Sequence, residues 1–169
     1  MVLDVAIYLQ HRLFHAVPFL WRLHRVHHAD LDLDVTSGVR FHPLEILLSM
    51  VIKCSVIAAL GAPMVAVIIF EVVLNATSMF NHSNLRIPVG FDRWLRLLPV
   101  PPDMHRVHHS IERTEADSNF GFNIPWWDWL FGTYLDQPAE GHDGMVLGIA
   151  EVQAAEDNAF TRLLLLPFR

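Results

Sequence analysis

The feature that most constrains this chain is a repeated pentapeptide: His24-Arg25-Val26-His27-His28 returns as His105-Arg106-Val107-His108-His109. On an α-helix each residue advances about 100° around the axis, so the three histidines of such a run project from one face. Burying three imidazoles without partners costs several kcal/mol, and core packing has no use for them. A shared metal satisfies them, because neutral imidazole ligates first-row transition metals. His11-Arg12-Leu13-Phe14-His15 adds a further pair at i and i+4. Three clusters in 169 residues point to a metal centre gathered from distant parts of the chain.

Composition narrows the setting. Hydrophobic residues make up 53% and charged residues 18%, where globular chains carry about 45–50% and 25%. With a mean hydropathy of +0.33, the balance tilts towards a membrane-embedded protein. A net charge of −6 argues against nucleic acid as a partner. Cys54 is the only cysteine, which excludes disulfides, thiolate zinc sites and iron–sulfur clusters held by this chain alone. Its place in an apolar run predicts a small buried hydrophobe. The apolar opening, Met1 to Leu20, lacks a basic n-region and carries Asp4, His11, Arg12 and His15, so it does not read as a signal peptide.

Taken in order, residues 1–17 predict a helix ended or kinked by Pro18. Asp4, Tyr8, His11 and His15 share one of its faces. Asp4 and Tyr8 are then either unrelated polar residues or hydrogen-bond partners that orient imidazoles. A second helix, about Phe19 to His28, ends in the first H-x-x-H-H, and Asp30, Asp32 and Asp34 read as a solvated loop. Pro43 suits the first turn of a new helix. His42, just ahead of it, reads as a ligand, a hydrogen-bonding neighbour of one, or a cap.

From Leu44 to Phe80 the chain is almost wholly apolar, broken by Gly61-Ala62-Pro63. Each arm, about 17 residues, spans roughly 25 Å as helix, a little short of the ~30 Å hydrocarbon core. The expectation is a transmembrane helical hairpin; the competing reading is a hairpin buried in a soluble protein. Lys53 and Glu71 each stand nine residues from Ala62, so they share a depth and are predicted to pair. Every arginine lies on the hairpin's flanks and none in its turn, which places both flanks in the cytoplasm. A hairpin also returns the chain to the face it left, so early and late histidines share one side.

His82, where the second arm re-emerges, is a candidate ligand. Pro99, Pro101 and Pro102 form a stiff connection to Asp103, which either caps the next helix or belongs to the metal site. Asn119 and Gly121 follow the last cluster closely enough to touch the site. The aromatic run Trp126 to Tyr134 suits a membrane interface, and about Ala150 to Leu166 predicts an amphipathic helix on that surface. The expected fold is all-α: an integral membrane helical protein with a transmembrane hairpin and a cytosolic histidine-rich helical cap. It forms one domain over 1–169, with the first two motifs in 1–28, the hairpin in 44–80, the third cluster and aromatic segment in 81–136 and a tail in 137–169.

The ordered set of motifs resembles the fatty acid hydroxylase/sterol desaturase superfamily of membrane di-iron enzymes, and looks most like its bacterial sterol desaturase branch. The resemblance rests on His11/His15, His24/His27/His28, Arg40-Phe41-His42-Pro43-Leu44-Glu45, Asn81-His82-Ser83-Asn84, His105/His108/His109 and Trp127-Asp128-Trp129-Leu130-Phe131-Gly132-Thr133-Tyr134. It covers nearly the whole chain. Members of the family usually carry further transmembrane helices before the first motif. With Met1 ten residues ahead of His11, the chain reads as an N-terminally shortened member or a fragment.

The resemblance implies two iron ions on His11, His15, His24, His27, His28, His82, His105, His108 and His109. His42, Asp4, Tyr8, Asp103 and Asn119 are further candidates, and no catalytic residue is expected beyond the ligands. Two metals at four or five nitrogens each would use that set, whereas one four-coordinate zinc leaves about half of it idle. It further implies O2 as co-substrate and hydroxylation or desaturation at an unactivated C–H bond of a sterol, fatty acyl or related lipid. No G-x-G-x-x-G occurs, so electrons are expected from a separate cytochrome b5- or ferredoxin-like donor. The active site would face the cytoplasm, from the inner membrane in a bacterium. Two other classes stand beside this one: a zinc-dependent membrane hydrolase, for which H-E-x-x-H is missing, and a non-catalytic remnant that binds metal or lipid.

Overall fold

Proline punctuation sets the first two helices. Val17 is extended, with φ −98° and ψ 116°, between α1 (Val2–Ala16) and α2 (Pro18–His28). Pro18 thus stops one helix and opens the next, where its missing N–H costs nothing. The computed structural model describes residues 1–154 and 158–169. Among these the only β-pairing is two isolated bridges, Ser110–Leu147 and Ile149–Val152, so the fold is all-helical.

The long apolar segment forms α3 (Pro43–Leu60) and α4 (Met64–Asn81). His42 caps α3: its Nδ1 accepts from the Leu44 N–H at 3.2 Å while Nε2 donates to the Leu164 carbonyl. At the other end Gly61 takes φ +60° and ψ 35°, a left-handed conformation that a side chain would strain, and its N–H closes onto the last turn. Lys53 and Glu71 pair across the hairpin, with Nζ 2.8 Å from each carboxylate oxygen. Both arms are long and apolar enough to cross a bilayer, and only 6% of α3 and 11% of α4 is buried within the protein. That exposure does not fit a buried soluble hairpin. Cys54, expected inside, lies exposed on α3, because the arm's apolar face points outward rather than into a core.

After the hairpin come α5 (Val89–Leu95), α6 (Pro102–His108), α7 (Arg113–Ala116), α8 (Trp126–Phe131), α9 (Gly141–Gly144) and α10 (Phe160–Leu165). Two expectations are corrected here. Asp30 is not a solvated loop residue: it is buried against Arg40, at 3.0 Å, and the Ser37 hydroxyl, while Asp32 and Asp34 are exposed. The tail is not one helix over 150–166. Its described helix is α10 alone, and residues 155–157 lie outside the described residues. Val152, Leu163 and Leu166 instead pack with Val26 and Ala29 beneath α2, and Arg25 binds the Leu166 carbonyl at 2.6 Å. Burial against a neighbour decides the tail's shape over its own amphipathic period.

Candidate metal centre

Four elements deliver the histidines: α1 carries His11 and His15, α2 carries His24, His27 and His28, and His82 caps the end of α4. His105 and His108 come from α6, with His109 directly after it. All nine are buried. They form two groups, His11, His15, His24, His28 and His108 in one, His27, His82, His105 and His109 in the other; within each, the nearest ring nitrogens lie within 4.8 Å of one another. Each H-x-x-H-H run is therefore divided between the groups. The groups adjoin, with His28 stacked on His109 at a ring-centroid distance of 4.4 Å.

Hydrogen bonds fix the proton on six of the nine rings. Nδ1 of His11, His27, His82 and His108 donates to the carbonyls of Phe120, Arg40, Ser78 and Ser118 at 2.9, 3.0, 2.7 and 2.7 Å. Nδ1 of His24 donates to Glu45 at 2.6 Å, and that of His15 to Asp117 at 3.1 Å. With Nδ1 protonated, neutral imidazole leaves only a lone pair on Nε2. Those lone pairs face each other: His11 to His24 at 3.1 Å, His11 to His108 at 2.9 Å, and His27 to His82 at 3.1 Å. His15 and His28 meet similarly at 3.2 Å. Facing lone pairs repel unless a cation lies between them.

Nitrogens 2.9–3.2 Å apart are close enough to share one ion. Both ring nitrogens of His109 and Nδ1 of His28 and His105 have no protein partner despite burial, so a metal has ligands to draw on in each group.

Electrostatics agrees with ligation. Burial, and then neighbouring imidazoles, push His11, His15, His27, His28, His105 and His109 well below the ordinary histidine value. Burial takes His82 to about 4 and His108 to about 3. These eight rings are neutral at pH 7, with lone pairs free for a metal.

The remaining candidates sit outside the two groups. His42 is the α3 cap. Asp4 accepts from Asn123 and from the Trp127 indole, both at 2.6 Å. Tyr8 bonds Thr133 at 2.7 Å and stacks on Phe131. Asp103 does not cap α6; it pairs with Arg106 at 2.5 Å. Asn119, in the left-handed region at φ 49°, clasps the carbonyls of Met104 and Leu135. None of the five hydrogen-bonds an imidazole of either group.

Three carboxylates that sequence reasoning did not single out do support the rings. Glu45 and Asp117 hold His24 and His15 directly. Asp128, fully buried and pushed up to about 6 by that burial, accepts from the N–H groups of Phe120 and Gly121 and from Thr133. It thereby sets the Phe120 carbonyl that receives His11. Because Thr133 commits its hydrogen to Asp128, Tyr8 is the donor in its bond and extends the same chain. Glu45 and Asp128 lie inside quoted motifs, but nothing in the sequence distinguishes them from other acidic residues there.

Fold and site together define a helical protein built around two adjoining groups of metal-ligating histidines. Comparison with known families makes this specific: residues 1–133 match the model described as fatty acid hydroxylase, and the chain belongs to that family. It is 31% identical over 137 residues to ornithine lipid hydroxylase OlsE of Rhizobium tropici, covering 81% of this chain and 40% of that protein. Alkylglycerol monooxygenase of Homo sapiens is 29% identical over 131 residues, 78% of this chain and 28% of that one. Cholesterol 25-hydroxylase of Rattus norvegicus is 26% identical over 139 residues, with shares of 82% and 46%. The chain thus spans less than half the length of these curated relatives. No solved structure matches it.

Proposed function

We propose that this chain carries the di-iron centre of an O2-dependent lipid hydroxylase, held in the membrane by α3 and α4 with the metals on the cytoplasmic side. One observation carries the reading: nine buried imidazoles in groups of five and four, with Nε2 atoms converging in each. Nine ligands in two groups weigh against a single four-coordinate zinc site. Two iron ions bound there supply the reductive activation of O2 needed to break an unactivated C–H bond. The balance is R–H plus O2, two electrons and two protons, giving R–OH and water.

The chain's residues do the positioning. Carbonyls, Glu45 and Asp117 hold six of the rings in one tautomer and orientation. Ile7, Phe14, Phe41 and Phe122 line a cavity that reaches His11 and His24; they exclude water and align one lipid carbon by proximity. Electrons come from a separate cytochrome b5- or ferredoxin-like protein. The names of the relatives support a sterol, fatty acyl or other lipid as substrate and hydroxylation rather than desaturation; the two long apolar helices support a membrane setting.

The test is metal content together with ¹⁸O2 labelling. Iron-replete chain in nanodiscs should hold two irons and, with a reductase, transfer one ¹⁸O to a lipid. Far fewer than two metals per chain, or turnover indifferent to oxygen, would overturn the proposal.

A further inference from the structure

Nine buried histidines leave few ways for an electron to reach them from water. Tunnelling falls off steeply with distance, so the inlet lies where a water-facing side chain touches a ligand ring. Among the described residues, five aromatic side chains make ring contacts with the nine: Phe14, Trp21, Phe41, Phe120 and Phe122. Phe14, Phe41 and Phe122 line the lipid cavity, and Phe120 is buried. Of the five, only Trp21 is half-exposed and outside that cavity. Its ring centroid lies 4.8 Å from that of His15 and 5.3 Å from that of His28. Of the two carboxylates that hold rings, Glu45 belongs to the cavity wall with 6% of its side chain exposed, whereas Asp117, on His15, is 39% exposed. Both outward contacts meet one residue. The Arg113 guanidinium lies 4.7 Å from the Trp21 ring centroid and donates to Asp117 at 2.7 Å and to the His15 carbonyl at 2.9 Å. Its side chain is half-exposed, and Nη1 has no hydrogen-bond partner among the described residues.

We propose that Trp21 is the electron inlet of the metal centre, and that a one-electron carrier protein with an acidic face docks over it on Arg113. This rests on the oxygenase reading, which needs two electrons per turnover. Each docking moves one electron from the reduced carrier to a ferric ion, which becomes ferrous. No bond is made or broken, and the electron tunnels past Trp21 without reducing it. It arrives at His15 and His28, in the five-histidine group; His28 stacks on His109, so the four-histidine group is one ring further. Exposed Arg22 and, one turn along α2 from Trp21, Arg25 add positive charge beside the indole, offset in part by Glu151 on Arg25. Opposite charge steers an acidic carrier to such a face, and tryptophan and arginine are side chains that often anchor protein interfaces. The cavity instead reaches His11 and His24, so carrier and lipid need not compete.

The test follows electron transfer rather than turnover. A reduced plant-type ferredoxin, an acidic one-electron carrier, is mixed anaerobically with ferric, iron-replete chain in nanodiscs, and its reoxidation is timed by its own absorbance. Arg113→Glu and Trp21→Leu should each slow the second-order rate about tenfold or more, because the reversed charge repels the carrier and the shorter side chain leaves a gap in the path. Arg86→Glu, the same charge reversal at an exposed arginine elsewhere, should stay within about twofold. Photoreduced deazariboflavin, a small neutral reductant that needs no seat, should reduce wild type and Arg113→Glu at rates within about twofold of each other, which separates docking from a shift in the iron's potential. In wild type, hydroxyl-radical oxidation of Trp21 should fall about threefold or more when ferredoxin is added, with exposed Trp94 unchanged; this covers variants that fail to fold or lose iron. Unchanged ferredoxin rates in iron-replete Arg113→Glu or Trp21→Leu, an equal loss in Arg86→Glu, a matching loss with deazariboflavin in Arg113→Glu, or an unprotected Trp21 would overturn the proposal. The expected pattern without ¹⁸O in any lipid would sink the oxygenase reading and leave the inlet standing.

Discussion

Removing Glu45 should loosen one metal and spare the other. Its Oε1 accepts from His24 Nδ1 at 2.6 Å, and both residues are buried. A hydrogen bond to a charged group contributes about 1.5–3 kcal/mol, a neutral one about 0.5–1.5. Glu45→Gln keeps an acceptor and loses the charge, a difference of about 1 kcal/mol, or roughly fivefold in affinity. Glu45→Ala leaves a buried N–H without a partner and frees the ring to rotate; outer ligand partners of this kind are worth about 10- to 100-fold in metal affinity. Chelator competition under anaerobic conditions, with Fe(II) or Co(II), resolves the two ions. Glu45→Ala should weaken the ion of the five-histidine group by that factor and leave the four-histidine group, measured with the other site empty, within about twofold. Glu45 also stands in the first turn of α3, where a negative charge is worth about 0.3–1 kcal/mol to the helix. If Glu45→Ala lowers thermal stability by that amount while both affinities stay at wild type, its role is helical and the reasoning fails.

His108→Ala and His82→Ala belong to different groups, so each should lower metal content from two ions to about one, measured by mass spectrometry of the metal. The metal-free chain should lose stability in acid. The unfolded chain takes up protons near 6.5, whereas burial holds His82 to about 4 and His108 to about 3 in the fold. Stability is full above about 6.5 and falls as pH drops from there towards 3; urea midpoints that stay level between pH 7 and 4.5 would refute this. Gly121→Ala would set a Cβ 2.7 Å from Asp128 Oδ2 and 2.8 Å from the Ile124 carbonyl. It should cost about 1–3 kcal/mol in thermal unfolding, because the backbone carbonyl cannot retreat as a flexible side chain would.

The sequence was legible where chain geometry alone carries the inference. The histidine faces follow from helical period, and the hairpin from apolar length and its Gly-Pro break. The Lys53–Glu71 contact follows from equal distance to the turn. What was not legible depends on residues meeting across the fold. His15 and Asp117 are 102 positions apart, and neither local sequence announces the other. Tyr8 was placed on the correct face, but its partner is Thr133, which no period along α1 could reveal. The tail misled because residues 150–166 carry an amphipathic pattern that the hydrophobic cluster under α2 uses in a different conformation.

The division of each H-x-x-H-H run explains why the motif is repeated, and it yields a further prediction. From α2, His24 and His28 serve the first group and His27 the second; at the end of α6 the shares reverse, with His108 in the first and His105 and His109 in the second. An ion in either group would be held by more than one helix, and would fix both helices against one another. Loading one group therefore orders the rings of the other in advance, and the second ion meets a lower entropic cost. If ordering saves about 1.4 kcal/mol, the second ion binds about tenfold more tightly than the first. Native mass spectrometry at half saturation should then show mainly metal-free and two-metal chains. His82→Ala, which leaves one group intact, should bind its single ion no more tightly than wild type binds its first. Half the chains carrying one ion at half saturation, as independent equal sites demand, would refute the coupling.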